Sequence, residues 1–164
     1  MKKNNIEDQI LVIFGSNGDL AKRKLLPAIF SLFLDQLLPD NFAVIGAGSQ
    51  EKDEVAYRND VLESLKTFSP KKLNDNPGKV DEFLQKVYYK KVNNQVVEDF
   101  ELLSKYVQDL SERLSIKQNI VYYFSIPPFL YEVVAANLEK YGMNLQTNGW
   151  KRIIVEKPFG YSYD

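Results

Sequence analysis

Leu11-Val12-Ile13-Phe14-Gly15-Ser16-Asn17-Gly18-Asp19-Leu20-Ala21-Lys22 decides the fold. An apolar run meets a glycine turn, and the turn opens onto a helical pattern. Residues 10–14 read as a buried strand of a parallel sheet, apolar on both faces. Gly15 suits turn geometry that a side chain would penalise, and Gly18 admits close approach of a ligand to the backbone. Ala21 stands where a small residue lets helix and strand pack together. The free N–H groups of the first helical turn then face an anion. A turn of this kind can also serve packing alone, so taken by itself the loop leaves two readings. Asp19 falls at the helix start and is expected to cap backbone donors there, because its charge would repel a phosphate.

The composition narrows what the loop can belong to. With 164 residues, 45% of them hydrophobic and 26% charged, the chain has the balance of one globular domain with a sizeable core. A net charge of −1 gives no electrostatic case for nucleic acid or an anionic membrane. The absence of cysteine excludes disulfides and thiolate metal sites, and no metal site is expected. The absence of histidine removes the usual general base at neutral pH. No apolar run approaches the roughly 18 residues of a membrane span, and the polar start lacks the features of a signal peptide. A cytoplasmic location is the expectation.

Along the chain, strands alternate with helices. Leu20, Leu25, Ala28, Ile29, Leu32 and Phe33 recur at helical spacing, with Pro27 accommodated early in the helix by a local distortion. Residues 42–46 form the next strand. Residues 53–68 form a helix with Val55, Val61, Leu62 and Leu65 inward, and residues 69–78 are expected to be a surface loop. A short helix over 80–86 leads to a strand over 87–92, and Val96 to Leu114 carry a long amphipathic pattern. A strand over 119–126 stops at Pro127-Pro128. A helix over 129–141 and a buried strand over 151–156 follow. The pattern predicts an α/β fold, a doubly wound parallel sheet flanked by helices, with ligands at the carboxyl ends of the strands.

Three unusual loops fall at those ends. Besides the glycine turn, Ile126-Pro127-Pro128 makes a rigid turn whose carbonyls can meet a nicotinamide ring or merely stop a strand, with Tyr131 close behind. Glu156-Lys157-Pro158-Phe159-Gly160 places a lysine at a strand end, where it can fix a hydroxyl or phosphate as a point charge or join an ion pair. A cis bond at Pro158 would aim that lysine. At the end of the second strand, Ser49 and Gln50 can hydrogen-bond either form of an adenosine ribose, and Glu51 follows slightly late.

Together Gly15-Ser16-Asn17-Gly18-Asp19-Leu20-Ala21-Lys22-Arg23-Lys24-Leu25, Tyr123-Phe124-Ser125-Ile126-Pro127-Pro128-Phe129-Leu130-Tyr131 and Trp150-Lys151-Arg152-Ile153-Ile154-Val155-Glu156-Lys157-Pro158-Phe159-Gly160 resemble the amino-terminal coenzyme domain of the glucose-6-phosphate dehydrogenase family. The resemblance covers essentially the whole chain. It implies a Rossmann-type NAD(P)-binding domain over residues 1–164, from a family that oxidises glucose 6-phosphate to 6-phosphogluconolactone at the head of the oxidative pentose phosphate pathway. By resemblance, Gly15, Ser16, Asn17, Gly18, Asp19, Leu20, Ala21 and Lys22 cradle the coenzyme diphosphate. Pro127, Pro128 and Tyr131 line the nicotinamide side, and Lys157 lies between coenzyme and sugar. Ser49 stands where the family commonly carries an arginine for the 2′-phosphate of NADP. A serine cannot supply that charge-assisted, bidentate pairing, so NADP is the implied coenzyme with NAD or dual use as the alternative.

The family's catalytic histidine motif and its β+α domain lie beyond Asp164, so no catalytic residue is assigned within this chain. Alone it is expected to be an inactive fragment that binds dinucleotide weakly, prone to self-association near Phe159, Tyr161 and Tyr163. The resemblance implies a homodimer or homotetramer for the longer enzyme. The alternatives are another sugar or sugar-phosphate dehydrogenase of the same superfamily, or a non-catalytic nucleotide-binding module that ends at residue 164.

Overall fold

In the computed structural model, which describes residues 6–156, the chain forms a five-stranded sheet in the order β3-β2-β1-β4-β5. The strands are β1 (Gln9–Phe14), β2 (Phe42–Gly48), β3 (Val87–Lys91), β4 (Ile120–Phe124) and β5 (Lys151–Val155). Every pairing is parallel. The helices between them are α1 (Leu26–Leu34), α2 (Glu54–Phe68), α3 (Pro70–Asp75), α4 (Pro77–Leu84), α5 (Val97–Leu114) and α6 (Tyr131–Lys140). The doubly wound arrangement predicted from the alternation is what the chain adopts.

The sheet has a hydrophobic core on each face, and β1 divides its side chains between them. Ile10, Val12 and Phe14 pack with Phe100, Val107 and Leu110 of α5 and with Val134 and Leu138 of α6. Ile13 packs on the other side with Leu26 and Phe30 of α1, Val61 of α2 and Phe83 of α4. Phe14 stacks on Phe100 at 5.7 Å and meets Phe124 edge-on at 5.6 Å. The alternation of period two therefore serves two buried faces, which is why these central strands read as continuous apolar runs.

The helix after the glycine turn departs from its expected phase. Ala21–Leu25 form one π-helical turn, in which the Leu26 N–H donates to the Ala21 carbonyl. The extra residue rotates the following stripe: Leu26, Ile29 and Phe30 are buried, whereas Ala28 and Leu32 face solvent. Pro27 lacks an N–H, so in this register the Lys22 carbonyl loses its helical donor. Ser64 of α2, itself buried, donates its hydroxyl to that carbonyl instead. The predicted distortion at Pro27 is thus a π turn with its own side-chain partner.

Three other expectations are corrected. Residues 69–78 are not a surface loop: Pro70 and Pro77 each open a short helix, α3 and α4. Proline is tolerated at the first helical position because its missing N–H has no partner there in any case. Val55 is 64% exposed rather than inward, since α2 turns Tyr57, Val61 and Leu65 to the sheet. The last strand is not buried. Ile153, Ile154 and Val155 are 47%, 45% and 48% exposed, because β5 is the sheet edge and, among the described residues, no helix covers it.

Candidate functional site

Strand register brings the carboxyl ends to one level. Phe14 lies opposite both Ala47 and Phe124, and Phe124 lies opposite Val155. The residues that follow, Gly15, Gly48, Ser125 and Glu156, therefore share one edge of the sheet. The strand order reverses between β1 and β4, and at such a switch point an open α/β sheet forms its ligand crevice.

Gly15 sits at that point with φ +83°, and a β-carbon there would stand 2.0 Å from the Ser125 carbonyl oxygen. Both the backbone conformation and the close approach of β4 demand glycine. The N–H groups of Gly15 and Ser16 donate to the Ala47 carbonyl at 3.1 and 3.3 Å, which seats the turn over β2. The Gly18 N–H donates back to the Gly15 carbonyl at 3.0 Å, and a β-carbon at Gly18 would meet only that oxygen, at 3.2 Å. Gly18 is exposed at the mouth of the turn, and Ala21 is fully buried beneath it. Asp19 is not the expected cap: its carboxylate accepts from Arg23 Nε at 3.2 Å along the exposed helix face. At i,i+4 spacing this pair competes successfully with the backbone donors.

Asn17 ties the turn to the end of β2. Its Oδ1 accepts from the Gln50 N–H at 3.4 Å and lies 3.1 Å from the Tyr89 hydroxyl. That hydroxyl donates to the Gln50 carbonyl at 2.7 Å, and burial raises the Tyr89 pKa, which keeps the proton in place. A β-carbon at Gly48 would stand 1.9 Å from Asn17 Oδ1, so the fit needs glycine on β2 as well. Below this junction the Tyr57 ring lies against Gly46 and at 4.9 Å from the Tyr89 ring. Burial raises the Tyr57 pKa, and the Ser16 hydroxyl beside it acts in the opposite direction. Ser49 is exposed just past the last residue of β2, and no arginine stands within the segment 42–57.

On the other side of the crevice, Pro128–Leu130 form a 3-10 turn, closed by the Leu130 N–H donating to the Pro127 carbonyl at 3.0 Å. Pro127, Pro128 and Phe129 are exposed. The Tyr131 hydroxyl donates to the Glu156 carbonyl at 3.2 Å, and the Tyr123 hydroxyl donates to the Glu156 carboxylate at 2.8 Å. Burial, and then the neighbouring carboxylate, raise the Tyr123 pKa. Glu156 is thus clamped by two tyrosines of β4 and α6. Lys157, Pro158 and the residues after them, including the cis bond and the self-association surface expected there, lie outside the described residues.

Of the residues named from sequence, the structure joins Gly15, Ser16 and Asn17 to the end of β2 and closes the turn through Gly18, and it sets Pro127, Pro128 and Tyr131 on the β4 side. Tyr89 has no place in the sequence reading, and Tyr123 and Ser125 stand there only within the quoted motif, with no role assigned. The one sequence signal for Tyr89 is indirect, a glycine at position 48 where a strand would favour a side chain. Ser16 Oγ and the Tyr57 hydroxyl are buried beside one another, while Asn17 Nδ2 and Ser125 Oγ are buried with no protein partner at hand. Leaving such an atom unpaired costs about 1–3 kcal/mol, so these two are the atoms open to a polar ligand. No group of side chains among the described residues has the composition of a metal site.

Comparison with known families agrees with this geometry. Residues 12–164 match the model of the glucose-6-phosphate dehydrogenase NAD binding domain. The chain belongs to the glucose-6-phosphate dehydrogenase family. It is 34% identical over 159 residues to glucose-6-phosphate 1-dehydrogenase of Treponema pallidum, covering 97% of this chain and 31% of that protein. With the enzyme of the same name from Aggregatibacter actinomycetemcomitans it shares 35% identity over 156 residues, covering 94% and 31%. A solved structure of glucose-6-phosphate dehydrogenase in complex with its substrate glucose 6-phosphate superposes with a TM-score of 0.82 at 28% identity, covering 98% of this chain and 32% of that one. The chain therefore spans about a third of the length of the glucose-6-phosphate dehydrogenases that it matches.

Proposed function

We propose that residues 1–164 make the coenzyme-binding domain of a glucose-6-phosphate dehydrogenase, oxidising glucose 6-phosphate to 6-phosphogluconolactone with NAD(P)+. The single observation that carries this reading is the glycine turn at the strand-order switch, with unpartnered Asn17 and Ser125 atoms around it. The backbone of Gly15 to Lys22 would hold the diphosphate at the start of the helix. Pro127, Pro128 and Tyr131 would flank the nicotinamide. The coenzyme, when bound, supplies hydride acceptance.

What this chain contributes is orientation. Asn17 and Tyr89 fix the loop that carries Ser49 and Gln50. Tyr123 and Tyr131 hold Glu156, and the neighbouring Lys157 in the sequence would contact both coenzyme and sugar phosphate. The base that takes the sugar hydroxyl proton is read as lying in another part of the enzyme, and no turnover by this chain alone is expected. The whole enzyme is read as a cytoplasmic homodimer or homotetramer. No helix among the described residues is long and apolar enough to cross a membrane.

Titration of the isotopically labelled chain with NADP+ and NAD+, followed by amide NMR, tests the reading. Saturable shifts at Gly15, Gly18 and Ser49 are expected, with no coenzyme reduction when glucose 6-phosphate is added. Shifts confined to other parts of the surface, or none at all, would overturn it.

A further inference from the structure

At the adenosine end of the crevice, Ser49 leaves the site without the arginine that would pair with a 2′-phosphate. The structure offers other charges there. β3 flanks β2 on the side away from β1, and Lys91, its last residue, lies directly opposite Gly48. Lys91 Nζ reaches across the strand ends to Glu51 Oε1 at 3.0 Å, and both side chains are solvent-accessible. The other cation of this loop, Lys52, is mostly buried and already paired with Asp60. The loop between them is not free to wander, because Gln50 is held at its N–H by Asn17 and at its carbonyl by Tyr89.

A dinucleotide whose diphosphate lies over the glycine turn extends its adenosine across the end of β2 toward β3. Its ribose then comes to the segment that holds Ser49, the Glu51 carboxylate and the Lys91 ammonium. An ammonium pairs with a phosphate as a point charge, whereas a carboxylate accepts the two hydroxyls of an unmodified ribose. An exposed ion pair is weak, on the order of 0–1 kcal/mol, so either partner is released at little cost when a ligand arrives.

We propose that Lys91 and Glu51 together set coenzyme choice in this chain. The Lys91 ammonium takes the 2′-phosphate of NADP in place of the absent arginine, and Glu51 accepts the ribose hydroxyls of NAD. The pair makes the site dual in specificity: Lys91 favours NADP, and Glu51 favours NAD and opposes NADP. This inference rests on the dinucleotide-binding reading given above.

The probes are adenosine 2′,5′-bisphosphate and AMP, titrated into the labelled chain and its variants. Lys91→Gln is expected to weaken the bisphosphate about tenfold, the scale of one lost charged hydrogen bond, and to leave AMP unchanged. Glu51→Gln is expected to strengthen the bisphosphate and weaken AMP, each about threefold, and Lys91→Arg to retain the bisphosphate. Both positions are exposed, so amide spectra away from the loop report whether the variants fold as the parent does. If both probes bind the parent and the variants leave their affinity ratio unchanged, the inference falls and the dinucleotide reading stands. If neither probe shifts Gly15, Gly48 or Ser49 in the parent, the dinucleotide reading falls and takes the inference with it.

Discussion

The carboxyl ends of β1 and β2 and the last strand, β5, lie in one sheet and differ in almost every respect. Around Gly15 and Gly48 a β-carbon would come within 2.0 and 1.9 Å of a neighbouring atom, and Asn17, Gln50 and Tyr89 interlock. Along β5, Ile153, Ile154 and Val155 stand nearly half exposed, and side-chain bonds at its two ends add to its ladder with β4. At one end the Trp150 N–H donates to the Asn119 side chain, and at the other Tyr123 and Tyr131 grip Glu156. The first region is fitted so closely that its glycines cannot take a side chain without displacing neighbours, whereas the second, among the described residues, leaves apolar side chains half in water.

The contrast can be broken by substitution. The largest effect is expected for Gly15→Val, which combines positive φ with a clash against the Ser125 carbonyl that no side-chain rotation relieves. A loss of about 3 kcal/mol or more is expected in denaturant unfolding, and an unchanged midpoint would show that β1 and β4 can separate freely. Next comes alkaline pH. The phenols of Tyr57, Tyr106, Tyr122 and Tyr123 are all raised, with burial the first cause in each. A raised folded-state pKa means stability that is complete below the unfolded phenol value near 10 and is lost as pH climbs above it. Unfolding followed by circular dichroism should therefore set in above about pH 10, in step with phenolate absorbance. Ionisation of all ten phenols before unfolding would contradict the burial.

Tyr89→Phe removes one hydroxyl and keeps the ring against Tyr57. A loss of about 1 kcal/mol is expected, together with NMR line broadening at Ser49 and Gln50. Sharp, unshifted loop signals would show that Asn17 alone holds the loop. The smallest change in stability belongs to Ile154→Lys, about 0.5 kcal/mol, because the side chain is already nearly half in water. It should instead reduce self-association in sedimentation at high concentration, and an unaltered distribution would remove β5 as the sticky surface.

Much of the scaffold was readable in advance because it is written in local periodicity. Apolar runs, glycine and proline punctuation and the long amphipathic α5 placed the strands close to their observed bounds and located the loops at the strand ends. Reading failed where one residue changed the period. The π turn at Ala21–Leu25 shifts the buried stripe of α1, and prolines that looked like loop residues open α3 and α4. It failed also for Asp19, whose nearest competitor for the carboxylate, Arg23, is one helical turn away.

By itself, the sequence determined the doubly wound class, the glycine turn and the resemblance that family comparison then established. These follow from short-range constraints: where a backbone needs glycine, where a face is apolar, where proline forbids a hydrogen bond. Only the tertiary structure decided that Asn17 meets Tyr89, that two tyrosines clamp Glu156, that Lys91 faces Glu51 and that β5 stands bare. Each of those depends on which strand ends up beside which. Partners 72 and 33 residues apart become neighbours through sheet order and register, and no local pattern encodes that distance.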